Sequence, residues 1–203
     1  MRTDTPLPPQ LSLLVTHACV LLRSAGRGVE LDGLAQLVHE QLGVHLPVTG
    51  LGAKVALPSE APGQAAATAY ALRTRPSEIM LLVAAHNTVI HPQTLERIAS
   101  LRQATAESPL LHAVDADQAL KAFALTGSLA RDLLVRVADA TSLPKGVGQF
   151  TRLRLADVHA TLVWDASERY LIIVDRLYAE FFRERLHHAA EPLDFHPSWA
   201  QAT

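Results

Sequence analysis

A single cysteine, Cys19, stands in a chain of 203 residues. One thiol closes no internal disulfide and builds no cysteine-based metal knuckle. The scarcity fits a reducing environment, and the cytoplasm is the expected location. With no flanking activator, Cys19 reads as a small core residue. Charge of one sign is also scarce: 18 Lys and Arg against 20 Asp and Glu give a formal −2. That near-balance argues against a surface that coats nucleic acid or anionic membrane as a whole. Long apolar runs are missing as well. The stretch "LSLLVTHACVLLRSAG" is interrupted by His17 and falls short of the roughly 20 apolar residues that a bilayer crossing needs. Asp4 and the prolines ahead of the run speak against an export signal, so no membrane partner is expected. Nucleophile elbows, glycine–lysine phosphate loops, kinase signatures and paired-carboxylate motifs are absent too, and no cofactor is implied.

What the chain does have is apolar surface, 49% of its residues. That is enough to offset the entropy of ordering and to build one substantial core. The expectation is a single globular domain over 11–190. Residues 1–10, with three prolines, read as a disordered tail, and 191–203 read as a loose C-terminal one.

Apolar periodicity predicts an enclosed helix over 11–24. A second follows at 30–43, with Leu31, Leu34, Leu37, Val38 and Leu42 on one stripe and Gly43 as its stop. Two short strands are expected within 44–57. The small-residue segment "GQAAATAYALRTR" (63–75) reads as a helix, and "EIMLLVAA" as a strand buried on both faces. Pro92 opens a helix, "LLHAV" is a strand, and "DADQALKAFAL" is read as helical before Gly127. Strand and helix thus alternate from about 44 to 125, which predicts an α/β fold with a central, mostly parallel sheet and flanking helices. The last third differs. "FTRLRLADVHATLVW" and "YLIIV" flank "DASER" as a β-hairpin, followed by an amphipathic closing helix over 175–190. This divides the domain into an α/β part, 11–140, and a hairpin–helix part, 141–190, with a mixed α+β arrangement as the variant.

In a parallel sheet, the loops beyond residues 49, 85 and 114 would share one rim. They carry Thr49 and Gly50, then His86, Asn87 and His91, then Asp115 and Asp117. Imidazoles with carboxylates make a ligand or metal set, or an acid–base pair at neutral pH. The structural alternatives are a helix cap for either aspartate, a turn role for Asn87 and a core position for His112. Gly50-Leu51-Gly52 is half a dinucleotide fingerprint, with Val55 where the third glycine belongs. Glu184 and His187 repeat a di-metal spacing, but only once.

The segment 121–154 carries six basic residues against two acidic ones. Lys145 sits in a glycine loop beside a strand bearing Arg152 and Arg154, two apart and therefore on one side. Together with Arg131 they form the candidate nucleic-acid contact, although no exposed aromatics interleave with them. Tyr178, Phe181 and Phe182 offer a face for a second copy of the chain. Three functional readings follow. The leading one is a non-enzymatic cytoplasmic regulatory or interaction protein working through protein or small-ligand contacts, with a homodimer among its partners. The second is a DNA- or RNA-binding protein using 145–154. The third is a metal-assisted or acid–base enzyme using His86, His91 and Asp115.

Overall fold

The computed structural model describes residues 9–24, 29–43, 45, 52–56, 68–85, 92–108 and 111–193. In chain order these form β1 (Gln10–Ser24), α1 (Val29–Leu42), β2 (Gly52–Ala56), β3 (Thr68–Arg75), β4 (Glu78–Ala85), α2 (Pro92–Ala106), β5 (Leu111–Asp115), β6 (Leu120–Thr126), α3 (Ala130–Val137), β7 (Phe150–Leu155), β8 (Val158–Ala166), β9 (Arg169–Asp175) and α4 (Ala179–Ala190).

Every pairing among these nine strands is antiparallel, which overturns the expected parallel sheet. Three segments read as helices are the cause. Residues 10–24 are extended. Val15, Thr16 and Val20 are β-branched, and buried Val20, Leu22 and Ser24 alternate with half-buried Leu21 and exposed Arg23. A register shift between Thr16 and Ala18 changes the phase of that alternation partway along the strand. Residues 68–75 are also a strand, joined to β4 by a turn at Pro76 and Ser77, and a turn that short compels an antiparallel neighbour. The third is 120–126. Its Ala, Leu and Lys favour helix, but Ala122 and Ala124 bury one face while Phe123 and Leu125 bury the other, so packing overrides propensity.

Elsewhere the local signals hold. Gly43 ends α1 with φ +68 and donates its N–H to His39 O at 2.8 Å, a left-handed C-terminal stop. The C-terminal hairpin and closing helix are present, with two refinements. The run 150–164 is two strands divided at Ala156-Asp157, and a 3-10 turn over Arg176–Tyr178 precedes α4.

The chain clusters into two compact units, Val15–Gln118 and the remainder. In the first, the strand order is β2-β3-β4-β1-β5, with β1 contributing from Val15 onward. Val38 of α1 and Ile98 and Leu101 of α2 pack on Val20, Leu22, Ala71 and Leu81. In the second, Gln10–Leu14 of β1 lies beside β6, and the order continues β9-β8-β7. Leu133 and Leu134 of α3 and Phe182 and Leu186 of α4 pack on Leu125, Leu153, Ile172 and Val174. The Phe123 and Phe182 rings lie 5.5 Å apart. Among the described residues, no helix is long and apolar enough to cross a membrane.

Phe182, fully enclosed, is expected to cost about 3–5 kcal/mol when changed to alanine. Its neighbour Phe181, 47% exposed, should cost about 0.5 kcal/mol or less. Urea unfolding of both variants measures the contrast.

Candidate functional site

The antiparallel sheet removes the shared rim. In the unit Val15–Gln118, β2 begins at Gly52, aligned through Leu72 with Met80, near the start of β4. The segment 86–91 leaves from the other end of β4, beyond Ala85. Thr49, Gly50, His86, Asn87 and His91 themselves lie outside the described residues. His112 is exposed on β5, opposite Arg23, instead of enclosed in the core.

Asp115 and Asp117 do come together, around a cation that sequence reasoning missed. Arg102 of α2 reaches Asp115 Oδ2 at 3.2 Å and Asp117 Oδ2 at 3.3 Å. Where β5 stops, the chain turns, and Asp117 N donates to Asp115 Oδ1 at 2.9 Å. Ala116 N donates to Cys19 O at 2.8 Å, while Cys19 N donates to Asp117 Oδ1. A side chain thus completes the hydrogen bonding of β1 where the ladder to β5 ends. Burial pushes the Cys19 thiol up to about 12, Asp117 and then Asp115 push the same way, and Arg102 opposes them. The thiol is protonated and enclosed at neutral pH, the state of an inert core cysteine. Among the described residues, no three histidine, cysteine or carboxylate side chains converge as a metal-binding group.

The basic residues divide between the two faces of the other unit's sheet. Arg131 on α3 stacks over Trp164, its guanidinium 5.1 Å from the ring centroid. Trp164 pairs with Tyr170 on the helix-covered face. Lys145 lies in the turn before β7, where its N–H donates to Gln149 Oε1 at 3.1 Å. Arg152 and Arg154 alternate with Leu153 and Leu155, which face α3 and α4, so both arginines project from the opposite face. They line a concavity of about 460 Å³ at β7, together with Arg136, Asp139 and Asp157. A second concavity of about 420 Å³ shares Arg136 and Asp157 and extends to Arg185 and His188.

Several bonds fix this groove. Ala156 N donates to Val137 O at 2.8 Å, and Thr151 Oγ1 donates to Ser142 O at 2.9 Å. Asp139 Oδ1 accepts from both Thr141 N and Thr141 Oγ1 at 2.9 Å, and these bonds hold its carboxyl below the usual range. Asp157 stands between two cations, Arg154 Nη2 at 3.6 Å and Arg185 Nη2 at 2.9 Å. Its turn has Ala156 at φ 48 and Asp157 at φ 68, two non-glycine residues in the left-handed region. A two-residue hairpin turn requires that geometry, and alanine adopts it at a cost of about 1–2 kcal/mol. The Arg154–Asp157 spacing, three apart, was a local signal that the sequence reading passed over. Arg136 and Arg185 belong to separate helices and reach the groove only through tertiary packing.

No family model and no curated protein matches the sequence. By shape, the chain is similar to one in the heterotetrameric sarcosine oxidase from Corynebacterium sp. U-96, solved with pyrrole 2-carboxylate. The TM-score is 0.69 at 20% identity, over 93% of this chain and 86% of that one. It is also similar to the glycine cleavage system aminomethyltransferase T from Bartonella henselae, with a TM-score of 0.56 at 16% identity. That match takes in 90% of this chain and 46% of the other, so the chain spans about half the transferase's length. At these identities the likeness defines the fold alone. The regulatory subunit of aspartate kinase from Thermus thermophilus overlaps more loosely, at a TM-score of 0.42 and 12% identity, over 91% of this chain and 99% of that one, and carries no argument.

Three outcomes are expected around Cys19. In the folded protein it should resist iodoacetamide at neutral pH and become alkylated on unfolding. Above the ordinary thiol value of 9.0 the unfolded chain loses this proton, while the folded chain keeps it to about 12. Stability should therefore fall with rising pH across that window, more steeply than in Cys19→Ala. Asp117→Ala should lower stability by about 1–3 kcal/mol, because it strands the Cys19 N–H. Thermal unfolding reads both.

Proposed function

We propose that this chain is a non-enzymatic cytoplasmic interaction protein, working as one component of a multi-subunit enzyme assembly. The observation that carries this reading is an apolar patch on the turn and helix after β9. Leu177 is 86% exposed, Tyr178 54% and Phe181 47%. Leu177 and Phe181 are four apart and Tyr178 and Phe181 three apart, spacings that bring side chains together on a helical surface. Covering a large apolar side chain is worth about 1.5–3 kcal/mol, and aromatic anchors of this kind dominate protein interfaces. Phe182, expected on the same face, belongs to the core instead, so the patch rests on the other three. Near end-to-end correspondence with a chain of a heterotetrameric oxidase supports the same reading. The nucleic-acid alternative is less favoured. Arg131 stacks over a ring on one face of the sheet while Arg152 and Arg154 project from the other, which breaks up the continuous track a phosphate backbone follows.

Native mass spectrometry of the chain isolated from its host tests this. The expected result is a complex with different subunits in fixed stoichiometry, dissociated by combining Leu177→Asp with Phe181→Asp. Recovery as a single chain, or only as copies of itself, would overturn the reading.

A further inference from the structure

One cation of the groove has no carboxylate of its own. Arg136, exposed in the last turn of α3, pairs with no acidic group among the described residues. A cation there complements the helix end, which accounts for the charge but not for the space in front of it. The concavity of about 420 Å³ that Arg136 borders has two unlike kinds of lining. Val137, Ala156 and Ala189 supply apolar surface, while Arg136, Arg185 and His188 supply polar groups beside the Asp157 carboxylate. Pockets that hold small molecules run from roughly 300 to 1,000 Å³, so the space suits a small ligand. Solvent reaches it, since the Asp157 and Arg185 side chains are each 51% exposed. Ala156 N donates to Val137 O at 2.8 Å, which ties two of the apolar residues together through their backbones.

Charge narrows the choice of ligand. Arg136, Arg154 and Arg185 stand against Asp157, three cations to one carboxylate. The adjoining concavity adds Arg152 and Asp139 together and leaves that excess unchanged. Asp157 shows how the cluster receives a carboxylate: Oδ2 meets Arg185 Nη2 at 2.9 Å, and Oδ1 meets Arg154 Nη2 at 3.6 Å. Ala156, at φ 48, holds the left-handed conformation beside it, which an L side chain resists. Backbone strain of that kind concentrates at ligand clamps and active sites.

The apolar lining then selects among anions. Phosphate presents oxygen on every side, and against Val137, Ala156 and Ala189 some of those oxygens would lose water with no donor in return. An organic acid has an apolar body for that surface. Its planar carboxylate matches the fork of a guanidinium group.

We propose that the concavity formed by the end of α3, the β7–β8 turn and α4 binds a small organic carboxylate. Its charged end lies on Arg136 and Arg185, and its body on Val137, Ala156 and Ala189. The Asp157 carboxylate competes with it for Arg185. This goes beyond the assembly reading and does not depend on it, since the site lies within one compact unit of the chain.

The probe is benzoate, titrated into the full-length, isotope-labelled protein while NMR follows the arginine Nε–H signals. Saturable shifts are expected at Arg136 and Arg185, and they should weaken as salt rises. Benzamide, which has the same body without the charge, should give none. Acetate, which has the charge but little body, should bind at least tenfold more weakly. Arg136→Gln should weaken benzoate binding at least tenfold. Asp157→Asn should strengthen it at least threefold, because asparagine tolerates the left-handed turn and removes the competing charge. Thermal unfolding checks that both variants fold. If either does not, benzamide and acetate ask the same question of the unaltered protein.

Four results would overturn the proposal: no saturable shift with benzoate, equal shifts with benzamide, acetate or inorganic phosphate binding as tightly as benzoate, or unchanged affinity in either folded variant. The third would mean a bare anion site. If native complexes persist while benzoate fails, only this inference falls. If benzoate binds while the chain isolated from its host has no partner subunits, the assembly reading falls alone.

Discussion

The backbone of β1 sets the terms for its neighbours. An extended segment over Gln10–Ser24 presents two rows of donors and acceptors, and buried ones have to be matched. On one side, Val15 to Arg23 pair with β4. On the other, Val20–Ser24 pair with β5, and that ladder stops at Val20. Cys19 lies one residue past its end. Its N–H and C=O are taken up by Asp117 and Ala116 from the turn after β5. Arg102 then holds the carboxylates of that turn from α2. The two aspartates of the candidate site, Asp115 and Asp117, thereby have a structural role in closing a backbone ledger.

The second concentration of charge has a different character. Its cations come from α3, β7 and α4 and border open concavities, and Arg154 and Arg185 are half or more exposed. Exposed ion pairs of this kind contribute little stability. The backbone around them is nevertheless constrained by a left-handed turn and by bonds from Ala156 and Thr151. Rigid backbone beneath adaptable cations is an arrangement suited to recognition.

Legibility followed the physical origin of each element. Helices α1 and α2 announced themselves through a glycine stop and an opening proline, signals that act within a few residues. The hairpin at 165–169 was readable for the same reason. β1, β3 and β6 were not, because their apolar runs suit either an enclosed helix or a strand with both faces covered, and only their partners decide. Misreading those three turned a set of antiparallel neighbours into βα units. The predicted meeting of His86, His91 and Asp115 depended on that error. Arg152 and Arg154 were placed on one side correctly, since a period of two needs no tertiary knowledge. The companions Arg136 and Arg185 carried no such local mark.

The pairing of Gln10–Leu14 with β6 joins distant residues, Ser12 and Ala124 among them, 112 positions apart along the chain. During synthesis at about 5–20 residues per second, that amino-terminal stretch emerges several seconds before the strand that shelters it. Leu11 and Leu14, fully or nearly enclosed at the end, spend that interval as exposed apolar surface on a nascent chain.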